Sequence, residues 1–457
     1  MAPIPQHRFF SSLRIAIVFS GSLLLAIWSL KNSIALRNFL LAFGALMALS
    51  IFTYQAKLKC FNLGRLRTRI FRNQLYQYAP LIFSIMLFAW VIAHLIFLSV
   101  ETSLQLQELK GTWLRAALAL ITGSAIGLVL QNRLRLTNFL WLGIFCSFLY
   151  LLAHYLNVLL ESQTIFMVDY YFSSPFGNKI NTVLMGGLFI GAACGSSAYA
   201  ICYEKNQPWF FHLFWLSGVA LVLFSYTQII DTRNGIGIAL ILIFIWFIYI
   251  VFKKTLQTHT LKTLSLMIIP LLIVGFFIQE HLRLNRGWNH FLSDIEIGIQ
   301  IDNIPNWQDV KKFGYPNTKE GEQVYPNNYE RVAWATAGVY TLQGNPLGFG
   351  LLEHSLGYLV KKQYPDANVM SSHSGWIDFG LAFGIPGLIL ILGALASIIL
   401  LAAQSHSIHA LTAIWISTSL LLIFTVAETS SKHSIEILLF FIGLLTLLIA
   451  KKSEVNK

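Results

Sequence analysis

The chain is a succession of strongly apolar runs, each about 17 to 25 residues long, interrupted by one polar stretch from Glu280 to Ser372. A helix of that length crosses the ~30 Å hydrocarbon core of a bilayer with its backbone groups bonded internally. With 56% hydrophobic residues, 11% charged residues and a mean hydropathy of +0.64, the composition differs from that of a soluble domain. The sequence therefore predicts an all-α polytopic membrane protein.

Twelve of these runs are predicted to be transmembrane helices. They cover residues 13–30, 34–54, 79–100, 112–131, 136–156, 182–203, 209–228, 234–252, 263–279, 374–402, 410–427 and 435–450. The chain then divides into residues 1–279 with helices one to nine, a large and partly helical loop at 280–373, and residues 374–457 with helices ten to twelve. We expect the first run to be a retained anchor, because Lys31 leads directly into the second.

Lysine and arginine concentrate in the links 55–78, 132–135, 204–208 and 253–262 and at both termini, which share one side of a twelve-helix arrangement. The positive-inside rule assigns this side, with both termini, to the cytoplasm, so the 280–373 segment faces outward. That segment has eight Lys/Arg and ten Asp/Glu, so the net charge of +12 comes from the cytoplasmic edge. The charge indicates topology and contact with anionic lipids, and gives no support for nucleic acid binding.

Within the polar stretch, residues 294–323 read as irregular and residues 329–340 as a helix, with Asn327 and Asn328 as caps and a stop at 344–346. Residues 347–351 are too apolar for a solvated loop and are predicted to pack against the bundle. Residues 353–362 favour a short amphipathic helix that buries Leu356, Leu359 and Val360.

Arg233 lies at the outer end of the eighth predicted span, where the positive-inside rule makes an arginine unusual. A guanidinium offers planar, paired donors that match a phosphate group. The alternative is that Arg233 extends to the membrane surface or pairs with Asp231.

Arg331 lies near the start of the predicted external helix, with Trp334 on the same face three residues later. Its alternative role is that of a solvated charge beside Glu330. Arg286, just after the ninth span, either extends a cationic surface or anchors the helix at the interface.

His373 stands where the chain returns to the membrane, within Ser371-Ser372-His373-Ser374-Gly375-Trp376. An imidazole titrates near neutral pH, so it can accept a proton from an attacking hydroxyl group. The alternative is a structural, hydrogen-bonded histidine.

Several kinds of catalytic site are missing from the sequence: a phosphate-binding P-loop, a dinucleotide-binding glycine pattern, a Gly-x-Ser-x-Gly elbow, a carboxylate pair for Mg²⁺ and a Cys/His zinc spacing. The sequence therefore disfavours chemistry that needs a metal or a nucleotide. Two arginines and a histidine at the outer surface suit a lipid-linked diphosphate leaving group and a hydroxyl nucleophile.

In three places the chain resembles the O-antigen ligase superfamily, which includes lipopolysaccharide core ligases, O-antigen polymerases and bacterial protein O-oligosaccharyltransferases. The matching residues are Arg233 with Gly235; Glu330, Arg331 and Trp334 followed by residues 345–350; and His373 followed by residues 378–380 and 384–387. Many members have Asn directly after the histidine, whereas this chain has Ser374, which leaves the subfamily open.

The resemblance implies transfer of a glycan from undecaprenyl diphosphate to an acceptor hydroxyl, without metal or cofactor, at the periplasmic face of the bacterial inner membrane. By analogy with the family, Arg233 and Arg331 would hold the diphosphate and His373 would activate the acceptor. Arg286 and Trp334 are further candidates for contact with donor or acceptor.

Lipid A core is the first acceptor to consider, an exported protein the second, and a second lipid-linked glycan the third. A secondary transporter is the hypothesis from a different class, since twelve spans are common there. It is disfavoured because no repeat relates the two halves of the sequence and because the charges of interest lie at the outer surface.

Overall fold

The computed structural model describes residues 6–60, 75–131, 134–163, 174–204, 207–254, 261–288, 290–426 and 432–450. These residues form helices and two isolated β-bridges, with no β-strand among them. In chain order the helices are α1 (Gln6–Ile27), α2 (Ile34–Cys60), α3 (Ala79–Phe97), α4 (Thr102–Leu130), α5 (Leu134–Ser162), α6 (Lys179–Cys202), α7 (Trp209–Phe224), α8 (Arg233–Lys254), α9 (Leu261–Leu284), α10 (Phe291–Gly298), α11 (Val310–Phe313), α12 (Pro326–Gly344), α13 (Ser355–Gln363), α14 (Gly375–Ala402), α15 (Ile408–Val426) and α16 (Lys432–Ile449).

Nine helices in the described part of the chain, α2 to α8 with α14 and α15, are long and apolar enough to cross a membrane. The chain is therefore a multi-pass membrane protein. The apolar parts of α1 and α16 are shorter, at Ser12–Ile27 and His433–Ile449, and the predicted span 263–279 lies within α9. The total of twelve spans stays a prediction.

The 280–373 segment has a hydrophobic cluster of its own, separate from the core of the helix bundle. Trp307 and Tyr329 are each only 1% exposed at its centre. Leu356, Leu359 and Val360 of α13 are buried in the same cluster, which confirms the predicted amphipathic helix.

Two predictions for this segment need correction. Residues 294–323 are not simply irregular, because α10, a 3₁₀ turn at Pro305–Gln308 and α11 lie wholly or partly within them. The helix predicted at 329–340 is longer, and Tyr325, not Asn327 or Asn328, occupies its N-cap position. Pro326 is the first residue of α12, where its missing N–H group costs no helical hydrogen bond.

Helix α14 is interrupted at Gly384, whose φ of 68° no continuous right-handed helix allows. Pro386 follows and has no N–H group for the carbonyl of Ala382 four residues earlier. Buried carbonyl groups need a donor, and here other parts of the chain supply them.

The donors come from residues 347–351, which pack against the bundle as predicted. Phe349 N–H donates to Leu381 O at 2.8 Å, and Gly350 N–H donates to Ala382 O at 2.6 Å. The Trp90 indole donates to Phe383 O at 2.8 Å. The interruption of α14 is thus closed by backbone pairing with the chain that leaves α12.

We predict that Gly384→Ala destabilises the protein. The left-handed backbone alone costs a Cβ-bearing residue about 1–3 kcal/mol, and the new Cβ would lie 2.3 Å from Pro346 O. Gly275→Ala in α9 is the matched control, because nothing lies within 4 Å of its added Cβ. Thermal unfolding of the purified variants should show a clear loss for Gly384→Ala alone, and equal unfolding temperatures would contradict the rigid pairing.

Candidate functional site

The ends of α6, α8, α12 and α15 surround a cavity of about 520 Å³. Both polar and apolar side chains line it. The polar lining residues include Asn178, Lys179, Asp231, Thr232, Arg233, Asn234, Asn285, Asn327, Asn328 and Arg331. The apolar lining residues include Val183, Ile238, Ile241, Leu422 and Val426. The structure therefore brings Arg233 and Arg331 into one cavity, although residues far apart in sequence carry them.

Arg233 is the first residue of α8, and the turn before it fixes where that helix begins. Asp231 has a left-handed backbone with φ of 49°. Thr232 N–H donates to Tyr226 O at 2.9 Å, and the Thr232 hydroxyl accepts from Gly235 N–H at 3.4 Å. A side-chain oxygen at this position caps the helix, so Arg233 projects from its first turn.

The guanidinium of Arg233 is held by neutral groups. Its Nη1 donates to Gly287 O at 3.1 Å and to the side-chain oxygen of Asn328. The guanidinium carbon lies 4.8 Å from the centre of the Tyr325 ring, a cation–π distance. A Cβ at Gly287 would lie 2.3 Å from Nη1, so glycine allows this close approach. The carboxylate of Asp231 accepts instead from Asn285 Nδ2 at 2.8 Å.

Asn328 connects Arg233 to a buried carboxylate. Its Nδ2 donates to Asp294 Oδ2 at 2.7 Å and to Gly287 O at 2.9 Å. Asp294 is fully buried and also accepts from Tyr325 N–H at 3.1 Å. These bonds tie the first turn of α12 to α10 and to the 3₁₀ turn at Arg286–Trp288.

Arg331 is half-buried and lies one helical turn after Asn328 on α12. Its neighbour Glu330 accepts from the Tyr315 hydroxyl at 2.8 Å. Burial, together with this contact to Glu330, raises the pKa of Tyr315 to about 12. Glu330 therefore has a partner of its own in the segment core, which weakens the view of Arg331 and Glu330 as a simple solvated pair.

His373 is not among the described residues that line the cavity. Its ring stacks on Trp334 with centroids 5.1 Å apart, and Trp334 is one turn beyond Arg331 on α12. His373 itself has a left-handed backbone, with φ of 55°. A histidine in this region is uncommon and signals an imposed conformation.

The turn that holds His373 is fixed by Asp378 in the first turn of α14. Asp378 is 4% exposed, and its Oδ1 accepts from Ser372 N–H at 2.8 Å and from the Ser372 hydroxyl at 2.7 Å. Ser374 N–H donates to the same hydroxyl at 3.2 Å. The residues on both sides of His373 are therefore bonded to one another, and the imidazole is directed toward Trp334.

Trp334 and Arg286 are the two remaining residues predicted to contact donor or acceptor, and the structure describes the side chain of Trp334 only. Trp334 is half-buried, and its indole donates to Trp307 O at 3.1 Å. Arg286 begins the 3₁₀ turn at Arg286–Trp288, but its side chain lies outside the described part of the protein. Its neighbours Asn285 and Trp288 both line the cavity.

Sequence reasoning missed three contributors: Asp294, the bridging role of Asn328, and Lys179. Asp294 shares a helical stripe with Ile297 and Ile301, which are both buried. A carboxylate on an apolar stripe signals a buried polar contact, so that pattern was available. Nothing local distinguishes Asn328 from a helix cap.

No group of three or more His, Cys, Asp and Glu side chains within the described ranges could hold a metal ion. The polar side chains that line the cavity are mainly cationic or amide groups, and several apolar residues line it as well. Such a set can bind an anionic group attached to a lipid.

Comparison with known families locates a match in the same region. Residues 219–392 match the family model described as O-Antigen ligase. This range contains Arg233, Arg331 and His373, and it supports the resemblance to the O-antigen ligase superfamily. No curated protein matches the chain.

We predict that Asp294→Asn destabilises the protein by about 1–3 kcal/mol, because the new amide turns a donor toward the donating Nδ2 of Asn328. Glu296→Gln is the matched control, since Glu296 lies on the same helix but is exposed and pairs with Lys319 on the surface. Chemical denaturation of both variants would measure the difference. Equal stability would mean that the Asp294 contacts do not fix α12.

Proposed function

We propose that this protein is a membrane glycosyltransferase that moves a glycan from an undecaprenyl-diphosphate carrier onto an acceptor hydroxyl. The reaction takes place at the periplasmic face of the bacterial inner membrane. Ligation of O-antigen to lipid A core is the form we favour. The match to the O-Antigen ligase family supports a membrane ligase or polymerase, and the donor, the residues and the orientation are our proposal.

The observation that carries the proposal is the cavity wall shared by Arg233 and Arg331. Guanidinium groups bind diphosphate through charge-assisted, paired hydrogen bonds. The apolar lining residues of the same cavity, with Ile238 and Ile241 on α8 and Leu422 on α15, suit the first isoprene units of the carrier. Ile241 is 45% exposed, so the cavity opens toward the lipid there.

The reaction requires an attacking oxygen and a leaving diphosphate. The acceptor oxygen forms a bond to the anomeric carbon of the glycan while the bond from that carbon to the diphosphate oxygen breaks. The bonding electrons pass to the diphosphate, and the hydroxyl proton passes to the imidazole of His373. Arg233 and Arg331 stabilise the negative charge that grows on the leaving group.

The contact that supports His373 as the base is its stack on Trp334, which follows Arg331 by one turn on α12. We propose that the glycan lies over Trp334, between the acceptor at His373 and the diphosphate at Arg331. Aromatic faces stack on the apolar faces of sugars, so Trp334 is also proposed to contact the glycan.

The acceptor distinguishes three related activities. A protein O-oligosaccharyltransferase would use a Ser or Thr of an exported protein, and an O-antigen polymerase would use a second lipid-linked glycan. Comparing lipopolysaccharide and exported glycoproteins from a deletion strain by mass spectrometry separates them. We expect the deletion strain to produce lipopolysaccharide without O-antigen. If neither its lipopolysaccharide nor its exported glycoproteins change, the transferase is contradicted.

A secondary transporter is favoured by one observation, the interruption of α14 at Gly384, because transporters coordinate ions with broken helices. In this protein, however, the carbonyl groups of Leu381, Ala382 and Phe383 already accept hydrogen bonds from Phe349, Gly350 and Trp90. The transferase therefore explains more of the structure.

We predict that His373→Asn lowers kcat by about 10²–10⁴-fold, the usual contribution of a general base, while donor binding changes little. Asparagine tolerates the left-handed backbone at this position, so the fold is kept. Steady-state transfer kinetics with thermal unfolding as a control would test this. A variant with near-normal kcat would exclude His373 as the base.

We predict that Arg331→Ala weakens donor binding by about 10–100-fold, since a charge-assisted hydrogen bond contributes about 1.5–3 kcal/mol. Arg233 is not used for this test because it also supports the fold through Gly287 and Asn328. Thermal unfolding checks that Arg331→Ala keeps the fold. Lys362→Ala on the exposed side of α13 is the control for lost positive charge. Binding of undecaprenyl diphosphate would measure the loss, and unchanged affinity would contradict the assignment.

A further inference from the structure

Lys179 lies in the wall of the cavity with Arg233 and Arg331, but it comes from a different part of the chain. It is the first residue of α6, after Asn178, whose side chain caps the helix by accepting from Asn181 N–H at 2.7 Å. Lys179 lies outside residues 219–392, so the family match assigns it no role.

The ammonium group of Lys179 is held by the turn that starts α8. Its Nζ donates to the backbone carbonyl of Asp231 at 3.1 Å. Asp231 is fixed in turn by its left-handed backbone and by Asn285, which donates to its carboxylate at 2.8 Å. Arg233 follows Asp231 by two residues and is the first residue of α8. Lys179 and Arg233 are thus positioned by one short piece of backbone.

The charges of the cavity wall are unequal. Lys179, Arg233 and Arg331 are cationic, whereas Asp231 is the carboxylate among the described lining residues. A carbonyl partner positions the lysine at the wall. Three cationic side chains and one carboxylate are thus among the described lining residues, and a dianionic ligand would match this cationic majority.

We propose that Lys179 is a third cationic ligand of the diphosphate, with Asp231 as its positioning residue; this inference rests on the proposed function. Breaking the bond to the glycan adds one negative charge to the diphosphate. A third cation is therefore worth more to the leaving group than to the intact donor, and it should act on kcat more than on KM.

The test compares Lys179→Gln, Lys179→Met and Lys179→Arg in the full-length protein reconstituted in lipid. Glutamine removes the charge and keeps a donor on a side chain that is one bond shorter, whereas methionine removes both the charge and the donor. We expect Lys179→Gln and Lys179→Met to lower kcat by about 10–100-fold with a smaller change in KM, and Lys179→Arg to retain most activity. Thermal unfolding of Lys179→Gln should match the wild type, and Lys362→Met is the control for an exposed lysine.

A second measurement uses product inhibition. Undecaprenyl diphosphate should inhibit Lys179→Gln more weakly than the wild type, whereas undecaprenyl monophosphate, which engages fewer cations, should inhibit both alike. A purely structural lysine would not change this preference for the diphosphate.

The outcomes separate the two proposals. If Lys179→Gln keeps wild-type kcat and diphosphate inhibition while Arg331→Ala and His373→Asn lose activity, the role of Lys179 is wrong and the transferase stands. If all three variants transfer the glycan normally, the residue assignments are wrong. If the wild-type protein transfers no glycan from the lipid-linked donor, the proposed function itself is wrong.

Discussion

The buried carboxylate of Asp294 is the contact on which the geometry of the cavity depends. A carboxylate only accepts hydrogen bonds, so it forces Nδ2 of Asn328 toward itself. The carbonyl oxygen of that amide must then face the opposite way, and it accepts from Arg233. Without Asp294, only the Gly287 carbonyl would hold Nδ2 in this direction, and a reversed amide would present a donor to the Arg233 guanidinium. The buried carboxylate in α10, together with the Gly287 carbonyl, thus orients the amide that holds the guanidinium at the start of α8.

A second constraint links the two halves of the site. His373 precedes α14, whose first turn is bonded to Ser372 through Asp378. Nine residues into that helix, the interruption at Gly384 is paired with the chain leaving α12. The short helical piece between these points is held at both ends, and one of its partners continues from the helix that carries Arg331 and Trp334. The position of His373 relative to α12 is therefore set by backbone pairing, which is stiffer than contact between side chains alone.

Hydropathy predicted twelve spans, and nine of them coincide with helices of the described residues that are long and apolar enough to cross a membrane, because the length and apolarity of a run are local properties. Local pattern also located α12, α13 and the packed turn after α12. It failed for Asn328, because a cap and a bridging amide have the same sequence signature and only the fold brings Asp294 near. The argument from charge topology that singled out Arg233 applies equally to Lys179, because the predicted arrangement assigns both residues to the same side. The positive-inside rule assigns each charge to a side of the membrane, but it does not predict which charged side chains lie close together.

The hydrogen-bond partners of Lys179 and Arg233 affect how these cations could bind an anion. Lys179 and Arg233 donate to the carbonyls of Asp231 and Gly287, and Arg233 also donates to the amide oxygen of Asn328. Neutral acceptors fix the direction of a cationic group, and the Asp231 and Asp294 carboxylates lie close enough to Arg233 to interact with its charge. The helices α6, α8 and α12 all begin at this cavity, so their dipoles add to the same positive potential. Like charges that share a wall repel one another, and an anion bound between them would reduce that repulsion. This is the electrostatic reason for which the proposed diphosphate ligand fits the cavity.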